Sequence, residues 1–206
     1  FLYPFLDASE SSDASLLESS AASWEAKELE SEELCAQTFA ANLESIDAVT
    51  SMIRSASENG GTTYAIGNGG SSCDAARLVR LLTAQDVSAR SLAADTAILT
   101  ALANDLGIDK IFARQVEAMI RPGDVLVAFS TSGSSSNLLA ALDVAARVDA
   151  RVVISAGYGG GPMGSHHAVD QALIVDSTSV HRIQEAQGVL IDQVCQRLEA
   201  QSEVNA

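Results

Sequence analysis

The hydrophobic positions of the chain follow two rhythms. In the first quarter, apolar residues return every three or four places. Leu29, Leu34, Phe39, Leu43, Ile46, Val49 and Ile53 recur at this helical spacing. The pattern predicts helix from about 16 to 57, stopped by "SENGG", whose Gly60 and Gly61 suit a left-handed cap. Beyond it, short apolar runs alternate with longer amphipathic ones. "TTYAIG" (62–67), "ARSLAA" (89–94), "DVLVAFS" (124–130), "ARVVISA" (150–156) and "QALIVDS" (171–177) read as strands. Helices are predicted over 72–84, 95–105, 108–120, 135–148 and 180–200, with Asp95 opening the second of these. Residues 1–15, rich in Ser and Asp, read as a poorly ordered arm. The remainder, 16–206, is expected to form one domain, with N-terminal helices over 16–58 and an α/β core over 60–200.

Strands separated by helices of this length imply βαβ units. The expected architecture is therefore α/β, a parallel sheet covered on both faces in three α/β/α layers, preceded by a long helical segment. In such sheets ligands bind beyond the carboxyl ends of the strands, where the chain direction splits. Two loops stand at such ends. "GNGGSS" (67–72) follows the first strand and offers Gly69 and Gly70 for close backbone approach, then a helix N-terminus that Ser71 or Ser72 can cap. "STSGSSSN" (130–137) follows "DVLVAF" and places five serines and a threonine before another helix. Hydroxyls donate to phosphate oxygens without adding charge. Neither loop contains the G-x-x-x-x-G-K of a nucleotide-binding loop, and the first departs from G-x-G-x-x-G. A monophosphate on a small molecule fits better than a triphosphate with magnesium.

Charge narrows the partners. The formal net charge is -15, and between Asp7 and Asp47 eleven acids face one base, Lys27. Such a field repels nucleic acid and anionic membrane, and the acidic run reads as a solvated helix face. Cys35, Cys73 and Cys195 lie far apart with no C-x-x-C spacing, as expected of free thiols in a reducing compartment. No apolar run approaches the roughly 18 residues that span a bilayer. "FLYPFL" is too short for a signal core, although a chain opening on Phe1 points to a start further upstream. Cytoplasm is the expected compartment. "SHH" (165–167) reads as a surface loop, because adjacent side chains rarely converge on one metal without an outside partner.

"GNGGSSCDA" and "STSGSSSN" together resemble the sugar isomerase (SIS) domain, and most closely its phosphoheptose isomerases. "ANDLGIDKIFARQVEA" (103–118), "GYGGG" (157–161) and "RIQEAQ" (182–187) extend the resemblance over roughly 45–200. It implies a flavodoxin-like five-stranded parallel sheet and a homotetramer with sites between subunits. It also implies a sugar phosphate ligand such as a heptose 7-phosphate, held at the phosphate by Gly70, Ser71, Ser130, Thr131, Ser132 and Ser135, and at the sugar by Asn68, Asp95 and Gln184. Cys73, which the family keeps without using it as a nucleophile, is expected to pack beneath the first loop.

The resemblance fails where the chemistry should be. Aldose–ketose isomerisation needs a base to move a proton between adjacent carbons and an acid to serve the oxygens. The family supplies a Glu on the helix after the first loop and a His on the last helix. Some members bind zinc with these two, a further His and the Gln. Aligned without gaps, the zinc-binding His falls on Arg77, the Glu on Leu81 and the catalytic His on Asp192; of the zinc positions only Gln184 is kept. The expectation is a phosphosugar-binding protein without the catalytic pair and without zinc, acting as a sensor or an assembly module, as the DnaA initiator-associating relatives do. A basic protein partner for the acidic N-terminal helix is part of that expectation. The alternative is an active sedoheptulose 7-phosphate isomerase with relocated acid and base. For this, Asp192 is the weak candidate base, with Glu185 or the loop residue His181 nearby. A transcriptional regulator is disfavoured by the charge and by the lack of a helix-turn-helix extension.

Overall fold

The computed structural model describes residues 13–204. The chain runs α1 (Asp13–Ala41), α2 (Leu43–Glu58), β1 (Thr63–Gly67), α3 (Gly70–Thr83), β2 (Ala89–Ser91), α4 (Thr96–Leu106), α5 (Ile111–Met119), β3 (Val125–Ser130), α6 (Ser136–Arg147), β4 (Arg151–Ala156), α7 (Gly161–Gly164), β5 (Gln171–Ile174) and α8 (Val180–Val204). All five strands pair in parallel, in the order β2-β1-β3-β4-β5.

β1 and β3 are buried at every position, so both faces of the sheet are covered. That burial explains their unbroken apolar runs. Alternate side chains sort into two cores. Val125, Val127 and Phe129 join Ile46, Val49 and Ile53 of α2, Leu78 and Leu82 of α3, and Leu190 and Val194 of α8. Leu126 and Ala128 join Phe112 and Val116 of α5 and Leu138 and Leu142 of α6. The helices therefore form two outer layers. α3 carries the chain from β1 out to β2, while α6 leads from β3 the other way, to β4. The strand order thus splits between β1 and β3, and the ends of those two strands are where ligands bind in such sheets.

The first helical region departs from expectation in two ways. It begins at Asp13, inside the stretch expected as an arm; residues 1–12 of that arm lie outside the described residues. It is also broken at Asn42. The Asn42 Nδ2 donates to Thr38 O (2.7 Å) and to Ile174 O (2.8 Å), while Ile174 N donates to Asn42 Oδ1 (2.9 Å). The side-chain amide pairs with the edge strand β5 as a strand's own peptide would, and the chain turns there. Helical periodicity runs through the break because α2 starts at the next residue and its buried apolar face begins at Ile46, one turn beyond Asn42. The two halves differ in packing. α2 buries Ile46, Val49 and Ile53, whereas Leu17, Trp24 and Leu29 on α1 stay exposed. α1 touches the body through α8.

Elsewhere the elements lie close to where the pattern puts them. The weak second strand shortens to Ala89–Ser91, the last strand to Gln171–Ile174, and the helix expected over 108–120 starts with a single 3-10 turn at Ile108–Lys110. Gly60 takes the left-handed conformation after α2 (φ 77°). No helix among the described residues is long and apolar enough to cross a membrane.

Candidate functional site

The loops after β1 and β3 meet. A cleft of about 70 Å³ lies between them, lined by Asn68, Ser71, Phe129, Ser130, Thr131, Ser132, Ser135 and Leu138. The amides of Asn68 and Asn137 bond in both directions at 2.9 Å and join one loop to the other. Five of the six residues expected at a phosphate are therefore at one cleft. The sixth, Gly70, is the first residue of α3, and the helix N-termini of α3 and α6 bring Ser71 and Ser135 to the cleft from either side. Both ends carry partial positive charge, which favours an anion.

The capping differs from expectation. Neither Ser71 nor Ser72 caps α3. Gly69 holds that position (φ 54°), and the Ser72 hydroxyl donates to Gly69 O at 2.6 Å. Ser135 is the N-cap of α6 but makes no side-chain cap hydrogen bond. In contrast, Asp95 is a working cap, accepting from Ile98 N at 3.0 Å to start α4. Asp95 does not line the cleft. Gln184, from α8, does reach the first loop. A Cβ on Gly70 would lie 2.0 Å from its Nε2, so only glycine leaves room for the amide there.

The Gly-rich turn at 157–161 backs the second loop. Gly157 N donates to Thr131 O (3.1 Å) and Met163 N to Gly133 O (2.9 Å). Gly133 has φ 62°, and a Cβ there would sit 2.1 Å from Gly160 O. Within the loop, Ser130 Oγ accepts from Gly133 N at 3.0 Å, and Ser134 Oγ donates to Ser132 Oγ at 2.9 Å. The loop is shaped by its own backbone contacts before any ligand arrives.

Arg77, Leu81 and Asp192 lie along the seam between α3 and α8. Arg77 grips Asp192 with two nitrogens: Nη2 donates to Oδ1 (2.7 Å) and Oδ2 (2.6 Å), and Nε to Oδ1 (3.2 Å). Donating these hydrogen bonds to Asp192 is the main reason the guanidinium's pKa is raised. Leu81 packs against the core shared by α2, α3 and α8. Beneath the ion pair, burial pushes the Cys195 thiol up to about 12, helped by the Asp192 charge. Glu185 pairs with Arg182 and accepts from Ser31 Oγ at 2.5 Å, which ties α8 to α1. His181 is exposed and lies in the first turn of α8 rather than in a loop.

Two features escaped the sequence reading. Asn137 was part of a motif, but its bridging role needs the two loops in contact. Asp74, on α3, has an Oδ2 that is buried without a hydrogen-bond partner. Burial raises its pKa from the usual 3.8 to about 6, against the opposing pull of Arg77. Cys73 corrects the reading in the other direction. It is exposed rather than packed under the loop, because the buried face of α3 is Ser71, Ala75, Leu78 and Leu82.

Comparison with known proteins agrees with this arrangement. The family model described as the SIS domain matches residues 29–157. A phosphoheptose isomerase of Bordetella avium is 38% identical over 176 residues, covering 81% of this chain and 88% of that protein. One from Helicobacter pylori is 42% identical over 148 residues, covering 69% and 76%. The structure of a phosphoheptose isomerase from Neisseria gonorrhoeae superposes with a TM-score of 0.83 at 33% identity, over 90% of this chain and 99% of that one. The Vibrio vulnificus NanR protein complexed with ManNAc-6P shares the fold, with a TM-score of 0.63 at 18% identity over 84% of this chain and 62% of that one.

Proposed function

Because the chain belongs to the SIS domain family and is related to the phosphoheptose isomerases, we propose that it binds a phosphorylated sugar between β1 and β3 without isomerising it. The observation that carries this reading is the Arg77–Asp192 ion pair. At the positions that the family resemblance assigns to a zinc-binding His and the catalytic His, this chain has two residues that satisfy each other. The position of the Glu base is Leu81, which cannot accept a proton. A base at Asp192 would have to give up the guanidinium before it could take a proton from carbon.

In this reading Gly70, Ser71, Ser130, Thr131, Ser132 and Ser135 hold the phosphate, and two helix N-termini supply the field. Gln184, Asn68 and Asp95 serve the sugar. Asn68 does so only by loosening its bond to Asn137, and Asp95 only through a neighbouring subunit or a shifted α4, since in this chain it caps a helix away from the cleft. Zinc is not part of the reading: of the donor set only Gln184 remains, and a guanidinium at one of the other ligand positions would repel a divalent cation. The protein acts as a cytoplasmic homotetramer with sites between subunits, as a sensor or an assembly module. The acidic α1 is the surface offered to a basic partner protein.

A second reading has its own support. Asp74 has a proton affinity near neutrality, the range suited to general acid–base work. An active isomerase with a relocated base would use it, or Asp192. One experiment separates the readings: incubation of the protein with sedoheptulose 7-phosphate, followed by both melting temperature and product formation, with and without zinc. Stabilisation without product is expected. Turnover that Asp74→Asn or Asp192→Ala abolishes would overturn the non-catalytic reading in favour of the second.

A further inference from the structure

The pair His166–His167 reads from sequence as a surface loop for want of an outside ligand. The fold supplies one. Asp143, on the outer face of α6, meets the loop between α7 and β5. One ligand atom from each of Asp143, His166 and His167 lies within 4.8 Å of the other two. Asp143 Oδ1 stands 3.3 Å from His166 Nε2. The two imidazoles stack with centroids 4.5 Å apart.

We propose that Asp143, His166 and His167 form a surface site for a divalent transition cation of the zinc, nickel or copper class. In a tetrahedral zinc site, bonds of about 2.0–2.2 Å place neighbouring ligand atoms about 3.3–3.6 Å apart. The Asp143–His166 separation of 3.3 Å already falls in that range, and His167, exposed at the loop surface, has the freedom to close the rest. Two imidazoles with one carboxylate favour borderline transition metals over magnesium or calcium. Arg147, one turn further along α6, spends a contact on the Asp143 carbonyl oxygen and leaves the carboxylate to the imidazole. The net charge of -15 raises the local concentration of cations around the chain.

One cost is visible. His166 Nδ1 accepts a long hydrogen bond from Ala168 N at 3.3 Å, so the neutral ring carries its proton on Nε2 and donates it to Asp143. Metal binding at Nε2 moves that proton to Nδ1 and releases the Ala168 N–H to water. With three protein ligands and this cost, binding is weaker than at a closed structural zinc site, as suits an accessory site. Occupancy would clip the α7–β5 loop to α6. α7 in turn holds Gly133 through Met163 N, so the clip braces the Ser-rich loop from behind. The site is separate from the α3–α8 seam, and it stands whether or not the chain binds a sugar phosphate.

The test uses the full chain, stripped by a chelator and dialysed. Zinc is titrated calorimetrically, and cobalt(II) by its visible absorption. One equivalent per chain is expected, with a tetrahedral-type cobalt spectrum and a rise in melting temperature. Asp143→Asn and His167→Ala, both at exposed positions, should each weaken binding at least about tenfold while keeping the metal-free melting temperature. His181→Ala, which changes the one other histidine of the chain, should leave binding as it was. An absence of saturable binding at millimolar zinc overturns the proposal. So does unchanged affinity in both His167→Ala and Asp143→Asn, which would place the metal elsewhere.

Discussion

Two regions of the molecule are built on different terms. The cleft between β1 and β3 is lined by hydroxyls and approached by the N-termini of α3 and α6. The seam between α3 and α8 carries an exposed ion pair and a packed leucine. On the proposed reading, binding and turnover are separable on this fold. The cleft is built from backbone geometry, which many contacts over-determine. Turnover, on the same reading, rests on a few side chains, and at two of their positions this chain has the half-exposed pair Arg77 and Asp192.

The largest expected effect comes from closing the space behind the cleft. Gly133→Val places a branched side chain at positive φ against Gly160 O. It should cost at least about 2 kcal/mol of stability and abolish stabilisation by sugar phosphates; chemical denaturation with and without ligand measures both. A variant that still binds normally would mean that the loop is not held as described. Next comes Ser132→Ala, expected to weaken phosphate binding about tenfold, or about 1.4 kcal/mol, with little change in folding. Calorimetry against a sugar phosphate tests it, and unchanged affinity would remove Ser132 from the cradle.

The seam should answer to pH instead. Asp74 titrates near 6 in the folded chain against 3.8 for an ordinary aspartate. The folded state thus binds its proton more tightly, and this contribution to stability is fully present below pH 3.8 and lost as pH rises through about 6. With partial exposure screening the effect, it amounts to about 1 kcal/mol. Asp74→Asn should remove that slope from melting curves taken between these pH values and raise stability at pH 7; a slope that persists in the variant would assign it to another group. The smallest effect is expected from Asp192→Asn, which weakens a half-exposed ion pair. A loss of at most about 1 kcal/mol should appear in denaturation, with ligand binding kept. A large loss of affinity would mean that the seam belongs to the binding site after all.

Much of this was legible in the sequence, for physical reasons that differ by element. β1 and β3 declare themselves because a strand buried on both faces must be apolar throughout. The two loops declare themselves because small hydroxyl residues and glycines at a strand end have few purposes. The pairing of Arg77 with Asp192 was not legible, although both positions stood out as departures, because they are 115 residues apart and only the packing of α8 on α3 brings them together. The altered proton affinity of Asp74 depends on burial, which its place in a polar motif concealed. The break at Asn42 was hidden because its partners are on β5. The cap at Gly69 was missed because the helix starts two residues earlier than its serines suggest.

The Asn42 bridge also bears on the order of assembly. Its partner, Ile174, lies 132 residues downstream. During synthesis α2 leaves the ribosome before any strand, yet the strand it registers against is the fifth to be made. Contacts of such long sequence separation carry a high loop-closure cost and form late. The apolar face of α2, with Ile46, Val49 and Ile53, is then a surface that waits: it emerges early and is fully shielded only once β5 and α8 arrive. In this chain a helix made before every strand is registered by one of the last of them.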